Sequence, residues 1–322
     1  MGWRESLAEY LAAQLPSAES VEVVNVRGMP AGASNDTVSF DARVNCDGVV
    51  SDVPLVLRPE RPDGILAPYD VSRQYMVMRA LAGTHVPVPA VAWYEPDPDV
   101  LGAPFYVMQR LRGETLPLFW YGQSPRLDAA AEALATIHAV DWRRAGLDFL
   151  LPESPADPTP LESELAAWRL RAERLRIARA PLLVSLGGWL RANEPADARQ
   201  ALLHGDPNPG NYLFEGNRVV GVVDWEVAAI GDPRSDFGFY AALQTVFGGL
   251  SMPDSRTLLS DAYERVTGVP LHSLQFYEAT GLYRMAVVMA GWAGRFTGMG
   301  SGSTMDAIAR RLSVLLGPRW EA

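Results

Sequence analysis

The feature that most constrains the fold of this chain is a polar segment set in apolar sequence between residues 203 and 240. The tripeptide His-Gly-Asp at 204–206 is followed, after four further residues, by Asn211. Asp224 comes thirteen residues later, directly after a short apolar run. The first carboxylate can act as a base. The amide and the second carboxylate can act as two oxygen ligands for a hard cation. The spacing predicts a loop, a strand and a second acidic loop that together form a polar site.

This set of residue types suits phosphoryl transfer. The reaction needs a carboxylate that accepts the proton of the attacking hydroxyl, and oxygen ligands that hold Mg²⁺ on the nucleotide phosphates. Asp206 suits the first role, and Asn211 and Asp224 suit the second. The spacing from the histidine to Asn211 also fits the H-x-D-x-x-x-x-N form of a kinase catalytic loop. The plainer alternative is that these acids only cap helices and turns.

Four sequence pieces in this order resemble the aminoglycoside phosphotransferase and choline kinase superfamily. They are HGD-x-x-x-x-N, an apolar strand, D-W-E at 224–226 and G-D-P-x-x-D at 231–236. The resemblance implies an α+β, two-lobed protein-kinase-like fold with the nucleotide between the lobes. A small antiparallel-sheet lobe would occupy residues 1–109, and a mostly helical lobe with the catalytic loop and acceptor site would occupy 110–322. It also implies ATP and Mg²⁺ as cofactors and a small-molecule hydroxyl as acceptor.

The N-terminal third has the pattern of a small sheet. Strand-like runs cover residues 21–26, 37–44, 54–57 and 105–109. Between the first two lies a turn of glycine and small residues, which allows backbone N–H groups to approach phosphates. On its own this pattern is equally that of an ordinary hairpin turn. The resemblance implies nucleotide contacts from three of its residues, which are Gly32, Ser34 and Asn35.

The chain contains no lysine, so another cation must contact the nucleotide phosphates. Arg58 ends a strand at the position where kinases carry that lysine. The sequence here resembles the kinase-like domain fused to some acyl-CoA dehydrogenases. Gln74 stands in a predicted helix where the family has a glutamate, and it would accept a hydrogen bond from Arg58 without forming an ion pair. Glu60 is an acid that would take the place of the family glutamate as the partner of Arg58.

Residues 105–113 have the pattern of a strand that leads into a linker. In kinases the linker backbone pairs with the edge of the adenine, so position alone makes Gln109 and Leu111 candidates for nucleotide binding. From about residue 111 onward the apolar spacing is helical.

Composition excludes several classes of protein. The net charge of −10 argues against nucleic-acid binding. No apolar run has the length of a membrane span, and a single cysteine, Cys46, excludes an intrachain disulfide and fits the cytoplasm. A monomer or a homodimer is expected.

The acceptor stays open at this stage. An aminoglycoside-like antibiotic and a small hydroxylated metabolite such as a hydroxyacyl-CoA both suit the pattern, and so does a nucleotide-binding pseudokinase with little turnover. The arginine-rich segment 161–180 is either a solvated helix face or a wall for an anionic substrate. Trp120, Tyr121 and Trp168 are candidates for the lining of an acceptor pocket.

Overall fold

The computed structural model describes residues 2–28, 37–61, 70–117, 124–248, 253–293 and 301–317. The predicted phosphate-contacting residues Gly32, Ser34 and Asn35 lie outside these ranges, as do Trp120 and Tyr121. Two compact units make up the chain. The first comprises residues 1–82 and 88–112, and the second comprises residues 83–87 and 113–322.

In the residues that the structure describes, the first unit is a five-stranded antiparallel sheet with two helices. In chain order its elements are α1 (Trp3–Gln14), β1 (Ser20–Gly28), β2 (Val38–Cys46), β3 (Val49–Pro59), α2 (Val71–Leu81), β4 (Val91–Glu95) and β5 (Phe105–Gln109). The strands lie in the order β1-β2-β3-β5-β4, and each neighbouring pair is antiparallel. Asp70 begins α2, because its side chain accepts a hydrogen bond from the backbone N–H of Arg73.

The two faces of this sheet have different neighbours. Leu7 and Leu11 of α1 pack on one face, in a core that includes Phe40 and Leu57. Successive side chains of a strand point to opposite faces. Arg58, which follows Leu57, therefore lies on the other face.

The second unit is mostly helical, with two small two-stranded sheets. Its elements are α3 (Pro125–His138), α4 (Pro160–Arg174), α5 (Pro181–Ala192), β6 (Ala201–Leu203), β7 (Tyr212–Glu215), β8 (Arg218–Val222), β9 (Ala229–Gly231), α6 (Arg234–Gly248), α7 (Leu258–Thr267), α8 (Leu274–Ala293) and α9 (Ser301–Leu316). Strand β6 pairs with β9, and β7 pairs with β8, both antiparallel.

Helices α6 and α8 cross with their backbones in contact, and this crossing sets the position of the polar loops. A Cβ atom at Gly238 would lie 2.1 Å from the backbone carbon of Tyr277, and one at Gly281 would lie 2.7 Å from the carbonyl oxygen of Gly238. Only glycine permits so close an approach. The crossing places the N-terminus of α6 and the middle of α8 directly beneath the loop that follows β6, as the contacts below show.

The sheet in the N-terminal part and the helical C-terminal part confirm the α+β fold predicted from the sequence. Within the described residues, no helix combines the length and apolarity needed to cross a membrane.

Candidate active site

His204 joins the loop after β6 to the end of β8. Its Nε2 lies 3.0 Å from the carbonyl oxygen of Val223, and the backbone N–H of Asp206 donates to its Nδ1 at 3.3 Å. A ring nitrogen that accepts carries no hydrogen, so this geometry suits a ring that donates from Nε2 and accepts at Nδ1. The indole of Trp225 packs at 4.7 Å from the imidazole. His204 is therefore a support for the loop rather than a base exposed to substrate.

Gly205 is fixed on both sides of its backbone. Its N–H donates to Oδ1 of Asp236 at 2.8 Å, and its carbonyl oxygen accepts a hydrogen bond from Nη2 of Arg284. The residue has a φ of +85°. Only glycine adopts this conformation readily, and the backbone of Val227 leaves no room for a side chain.

The carboxylate of Asp206 is held in place by its neighbour Asn208. Nδ2 of Asn208 donates to Oδ1 of Asp206 at 2.9 Å, and Oδ1 of Asn208 accepts from the N–H of Gly210 at 2.8 Å. Burial raises the pKa of Asp206, the hydrogen bond from Asn208 opposes this rise, and the charge of Asp224 adds to it. A raised pKa makes this carboxylate a stronger base, which suits a group that accepts a proton.

Asn211 and Asp224 both follow Asp206 in the chain and are tied to the same loop. Nδ2 of Asn211 donates to the carbonyl oxygen of Asp206 at 2.8 Å. The N–H of Val223 donates to the carbonyl oxygen of Asn211 at 3.0 Å, so the chain just before Asp224 is bound to the loop. Asp224 has a φ of 68°, in the left-handed region that aspartate and asparagine tolerate better than most residues.

These residues fit a magnesium ion. Since Nδ2 of Asn211 is turned toward Asp206, its Oδ1 is left as an oxygen ligand, and Asp224 supplies a carboxylate whose charge already acts on Asp206. The described part of the chain holds no group of three or more histidine, cysteine, aspartate or glutamate side chains that would hold a metal. Mg²⁺ needs no such group, because it binds through one or two carboxylates together with substrate phosphates.

Asp236, in the first turn of α6, supports the loop from below. It is fully buried and accepts hydrogen bonds from the N–H groups of His204 and Gly205 and from Nε2 of His138, the last at 2.9 Å. Burial acts to raise the pKa of Asp236. The hydrogen bond from His138, the charges of His138 and His204 and the backbone bond from Gly205 outweigh it and hold the pKa below its usual value. His138 at the end of α3 is thus a buried support.

Asp232 fixes the entry to α6. It accepts from the backbone N–H of Arg199 at 2.9 Å and from Nε of Arg234 at 2.8 Å. Arg234 also pairs with Asp197 at 3.1 Å. The G-D-P-x-x-D segment therefore contributes two acids, Asp232 and Asp236, that bind protein groups and not solvent.

A buried ion pair lies behind the loop, and the sequence did not reveal it. Arg284 on α8 pairs with Glu164 on α4 at 3.2 Å, and both side chains are no more than 2% exposed. The hydroxyl of Ser235 donates to the other oxygen of Glu164 at 2.5 Å. Burial raises the pKa of Glu164 to about 7, while Arg284 opposes the rise. A charged residue within an apolar helical pattern was the signal for Arg284, but no local spacing links it to a partner 120 residues away.

Trp168, a candidate for the acceptor pocket, is 3% exposed in the structure. The guanidinium groups of Arg171 and Arg284 lie 4.9 and 5.1 Å from its ring. The ring is part of the packing of α4 against α8, so the structure does not support its assignment to a pocket.

The predicted nucleotide residues of the first unit lie on β3, α2 and β5. Arg58 pairs in register with Tyr106 across β3 and β5, and it is 9% exposed. The hydroxyl of Tyr106 donates a hydrogen bond to Oε1 of Gln74 at 3.2 Å. Gln74 is 1% exposed, and the bond between Gln74 and Arg58 stays a prediction.

Gln109 and Leu111 lie where the sequence placed the linker. Gln109 ends β5 and is exposed, and Leu111 follows outside any strand. Arg110 between them is anchored to β2, because it donates to Oγ of Ser39 at 2.9 Å and pairs with Asp41 at 2.6 Å. This anchor, which the sequence did not predict, fixes the linker backbone to the sheet.

Comparison with known proteins assigns the chain to a family. A family model described as "Phosphotransferase enzyme family" matches residues 25–268. Acyl-CoA dehydrogenase family member 11 of Gallus gallus is 29% identical over 320 residues, which cover 90% of this chain and 39% of that protein. Acyl-CoA dehydrogenase family member 10 of Mus musculus is 27% identical, over 84% of this chain and 27% of that protein. The chain spans about two-fifths of the length of the chicken relative and less of the mouse one.

Solved structures share the fold. A putative aminoglycoside phosphotransferase from Ralstonia eutropha JMP134 superposes with a TM-score of 0.65 and 25% identity, over 97% of this chain and 95% of that one. A thermostable mutant of aminoglycoside phosphotransferase APH(4)-Ia, in ternary complex with AMP-PNP and hygromycin B, gives a TM-score of 0.60 at 18% identity, over 97% and 98%. These findings confirm the predicted resemblance to aminoglycoside phosphotransferases. The chain belongs to the phosphotransferase enzyme family.

Proposed function

We propose that this protein transfers the γ-phosphoryl group of ATP to a hydroxyl group of a small molecule, with Mg²⁺. The observation that carries the proposal is the fixed carboxylate of Asp206, held by Asn208 in the same loop as Asn211 and influenced by the charge of Asp224. The complex of APH(4)-Ia with AMP-PNP and hygromycin B supports a nucleotide and a small hydroxylated acceptor in this fold.

In this proposal each residue has one task. Asp206 accepts the proton of the acceptor hydroxyl while that oxygen forms a bond to the γ-phosphorus and the bond from the γ-phosphorus to the bridging oxygen of ADP breaks. Asn211 and Asp224 would hold Mg²⁺, which neutralises phosphate charge when bound. Asn208 keeps the carboxylate of Asp206 oriented. His204, Asp236 and the other buried groups hold the loop and take no part in proton transfer.

For the acceptor, we favour a small anionic metabolite such as a hydroxyacyl thioester of coenzyme A over a cationic aminoglycoside. The names of the relatives place similar sequence within acyl-CoA dehydrogenase family proteins. In the arginine-rich segment, Nη2 of Arg169 is buried and has no hydrogen-bond partner among the described residues. Burial raises the pKa of Tyr283, and the charges of Arg169 and Arg191 both oppose this rise, so these two cations lie near one hydroxyl. Such a pair suits an anion and would repel an aminoglycoside.

Phosphoryl transfer from γ-labelled ATP tests the proposal. Purified protein is incubated with Mg²⁺, labelled ATP and, in separate reactions, a hydroxyacyl-CoA, an aminoglycoside or no acceptor. Transfer of label to a hydroxyl compound in a magnesium-dependent manner is expected. Nucleotide binding without transfer to any acceptor would favour the alternative that the protein is a pseudokinase.

The metal assignment predicts a selective effect of Asp224→Asn. Asparagine tolerates the left-handed backbone of this position, so the variant removes the charge with little strain. We expect ATP affinity to fall in the presence of Mg²⁺ and to change little in EDTA, as measured by titration calorimetry. Asp47→Asn is the matched control, since Asp47 also has a positive φ, of 53°, but lies in the turn after β2. Unchanged magnesium-dependent binding in Asp224→Asn would reject the assignment.

The phosphate assignment predicts that Arg58→Ala weakens ATP binding. A hydrogen bond to a charged group contributes about 1.5–3 kcal/mol, which corresponds to roughly a 10- to 100-fold rise in the dissociation constant. Arg43→Ala is the control, because Arg43 lies on the neighbouring strand β2 and pairs with Asp52 at the surface. An ATP affinity in Arg58→Ala equal to that of the control would remove Arg58 from the nucleotide site.

A further inference from the structure

We propose that Arg284 is a positioning residue for catalysis, which orients the Asp206 carboxylate by holding the carbonyl group of Gly205. This inference rests on the proposed phosphotransferase function. It concerns a residue on α8, 78 positions beyond Asp206 and outside the motif that identifies the family.

The contacts of Arg284 divide between the loop and the helices around it. Nη2 donates to the carbonyl oxygen of Gly205, and Nη1 donates to Oε1 of Glu164 at 3.2 Å. The guanidinium also lies 4.0 Å from the ring centre of Phe239 on α6. One planar group therefore connects α4, α6 and α8 to a single carbonyl of the loop.

The Gly205 carbonyl is the point where this connection affects Asp206. It belongs to the peptide group whose N–H is that of Asp206, and this N–H donates to Nδ1 of His204. Asp236 holds the N–H of Gly205 at 2.8 Å from the opposite direction. Because hydrogen bonds hold both the N–H and the carbonyl group of Gly205, the direction of the chain into Asp206 is fixed. Without Arg284 the carbonyl would lose its donor, and the peptide group before Asp206 would keep only the hydrogen bond from the Asp206 N–H to His204.

Stability alone is a poor explanation for this ion pair. Moving two charges out of water costs several kcal/mol per ion, and apolar residues of similar volume commonly replace buried pairs without loss of stability. The pair is also incompletely satisfied, since Nε of Arg284 has no hydrogen-bond partner among the described residues. Arg284 can donate a hydrogen bond to the Gly205 carbonyl while Glu164 orients its guanidinium group. An apolar side chain cannot do this.

The substitution Arg284→Lys tests this role, because lysine keeps the positive charge near Glu164 but lacks the fork that reaches two acceptors. A matched control lies in the same bundle. Arg311 on α9 is 5% exposed and donates to both oxygens of Glu278 on α8, at 2.7 and 2.6 Å. Arg311→Lys makes the same change in an equally buried pair that does not contact the loop.

We expect Arg284→Lys to lower kcat by roughly tenfold or more, since small misplacement of reacting groups costs up to about 10²-fold. The KM for ATP should stay within about twofold, because Arg58, the proposed phosphate contact, lies on β3 and outside this loop. Amide hydrogen exchange in residues 204–211 should become faster in Arg284→Lys and not in Arg311→Lys. If Arg284→Lys does not fold, Glu164→Gln weakens the hold on the same guanidinium and is expected to give the same pattern.

Two results would overturn the inference. One is exchange in residues 204–211 that is as slow in the Arg284 or Glu164 variant as in Arg311→Lys. The other is a kcat for that variant equal to the control. The exchange measurement needs no turnover, so it judges Arg284 even if the wild-type protein transfers no phosphate, a result that would count against the proposed function instead.

Discussion

Asp206→Asn is expected to lower kcat by about 10²–10⁴-fold, the usual contribution of a positioned general base. The substitution keeps the shape of the side chain, and an amide oxygen still accepts the hydrogen bond that Asn208 donates at 2.9 Å. The loop therefore stays in place while the base is lost. Since the phosphates contact other residues in this proposal, the KM for ATP should change little.

Asp261→Asn is the control for this prediction. Asp261 lies on α7, outside the loop, and pairs with Arg256 at 2.9 Å, so the same chemical change is made away from the proposed site. Steady-state kinetics on both variants, with melting temperatures to confirm that both are folded, give the comparison. Near-wild-type turnover by Asp206→Asn would exclude the residue as the base, whichever acceptor is used.

The sequence predicted those parts of the site that lie close together in the chain. Asp206, Asn211 and the strand before Asp224 are close in the chain, and some of the hydrogen bonds of the loop join residues no more than about twenty positions apart. The sheet and helices were predictable for the same reason, because alternation and helical spacing are local patterns. The hydrogen bonds of Asn208 were predictable from local sequence as well, since an asparagine two residues after an acid commonly bonds to it or to the turn.

The long-range supports were not predictable. Glu164 and Arg284 come from α4 and α8, and their pairing depends on a helix crossing that glycine residues 238 and 281 permit. A single sequence gives no signal of which buried charges meet. The hydrogen bond between Tyr106 and Gln74 was not predictable for a related reason. Tyr106 is adjacent to Gln74 only because β5 pairs with β3 under α2.

Gly205→Ala is expected to destabilise the fold by more than about 4 kcal/mol, a loss that few single substitutions cause. Two costs add at this position. An L-residue at a φ of +85° costs about 1–2 kcal/mol, and the new Cβ would lie 2.2 Å from the carbonyl oxygen of Val227. That oxygen belongs to the backbone just before β9, so relief of the overlap requires the loop or the strand to move. Either movement also disturbs the bonds of Gly205 to Asp236 and Arg284.

Gly216→Ala separates the two costs. Gly216, in the turn between β7 and β8, also has a positive φ, of +61°, but a Cβ there would meet nothing within 4 Å. This control should lose only the backbone term of about 1–2 kcal/mol. Urea unfolding of both variants measures the difference, which is the contribution of the contact with Val227. If the two variants unfold at the same urea concentration, the loop has room to relax and its rigidity does not depend on this glycine. If Gly205→Ala loses much more stability than Gly216→Ala, the middle residue of the His-Gly-Asp motif is required by the close packing of two backbones, and the chemistry of Asp206 depends on that packing.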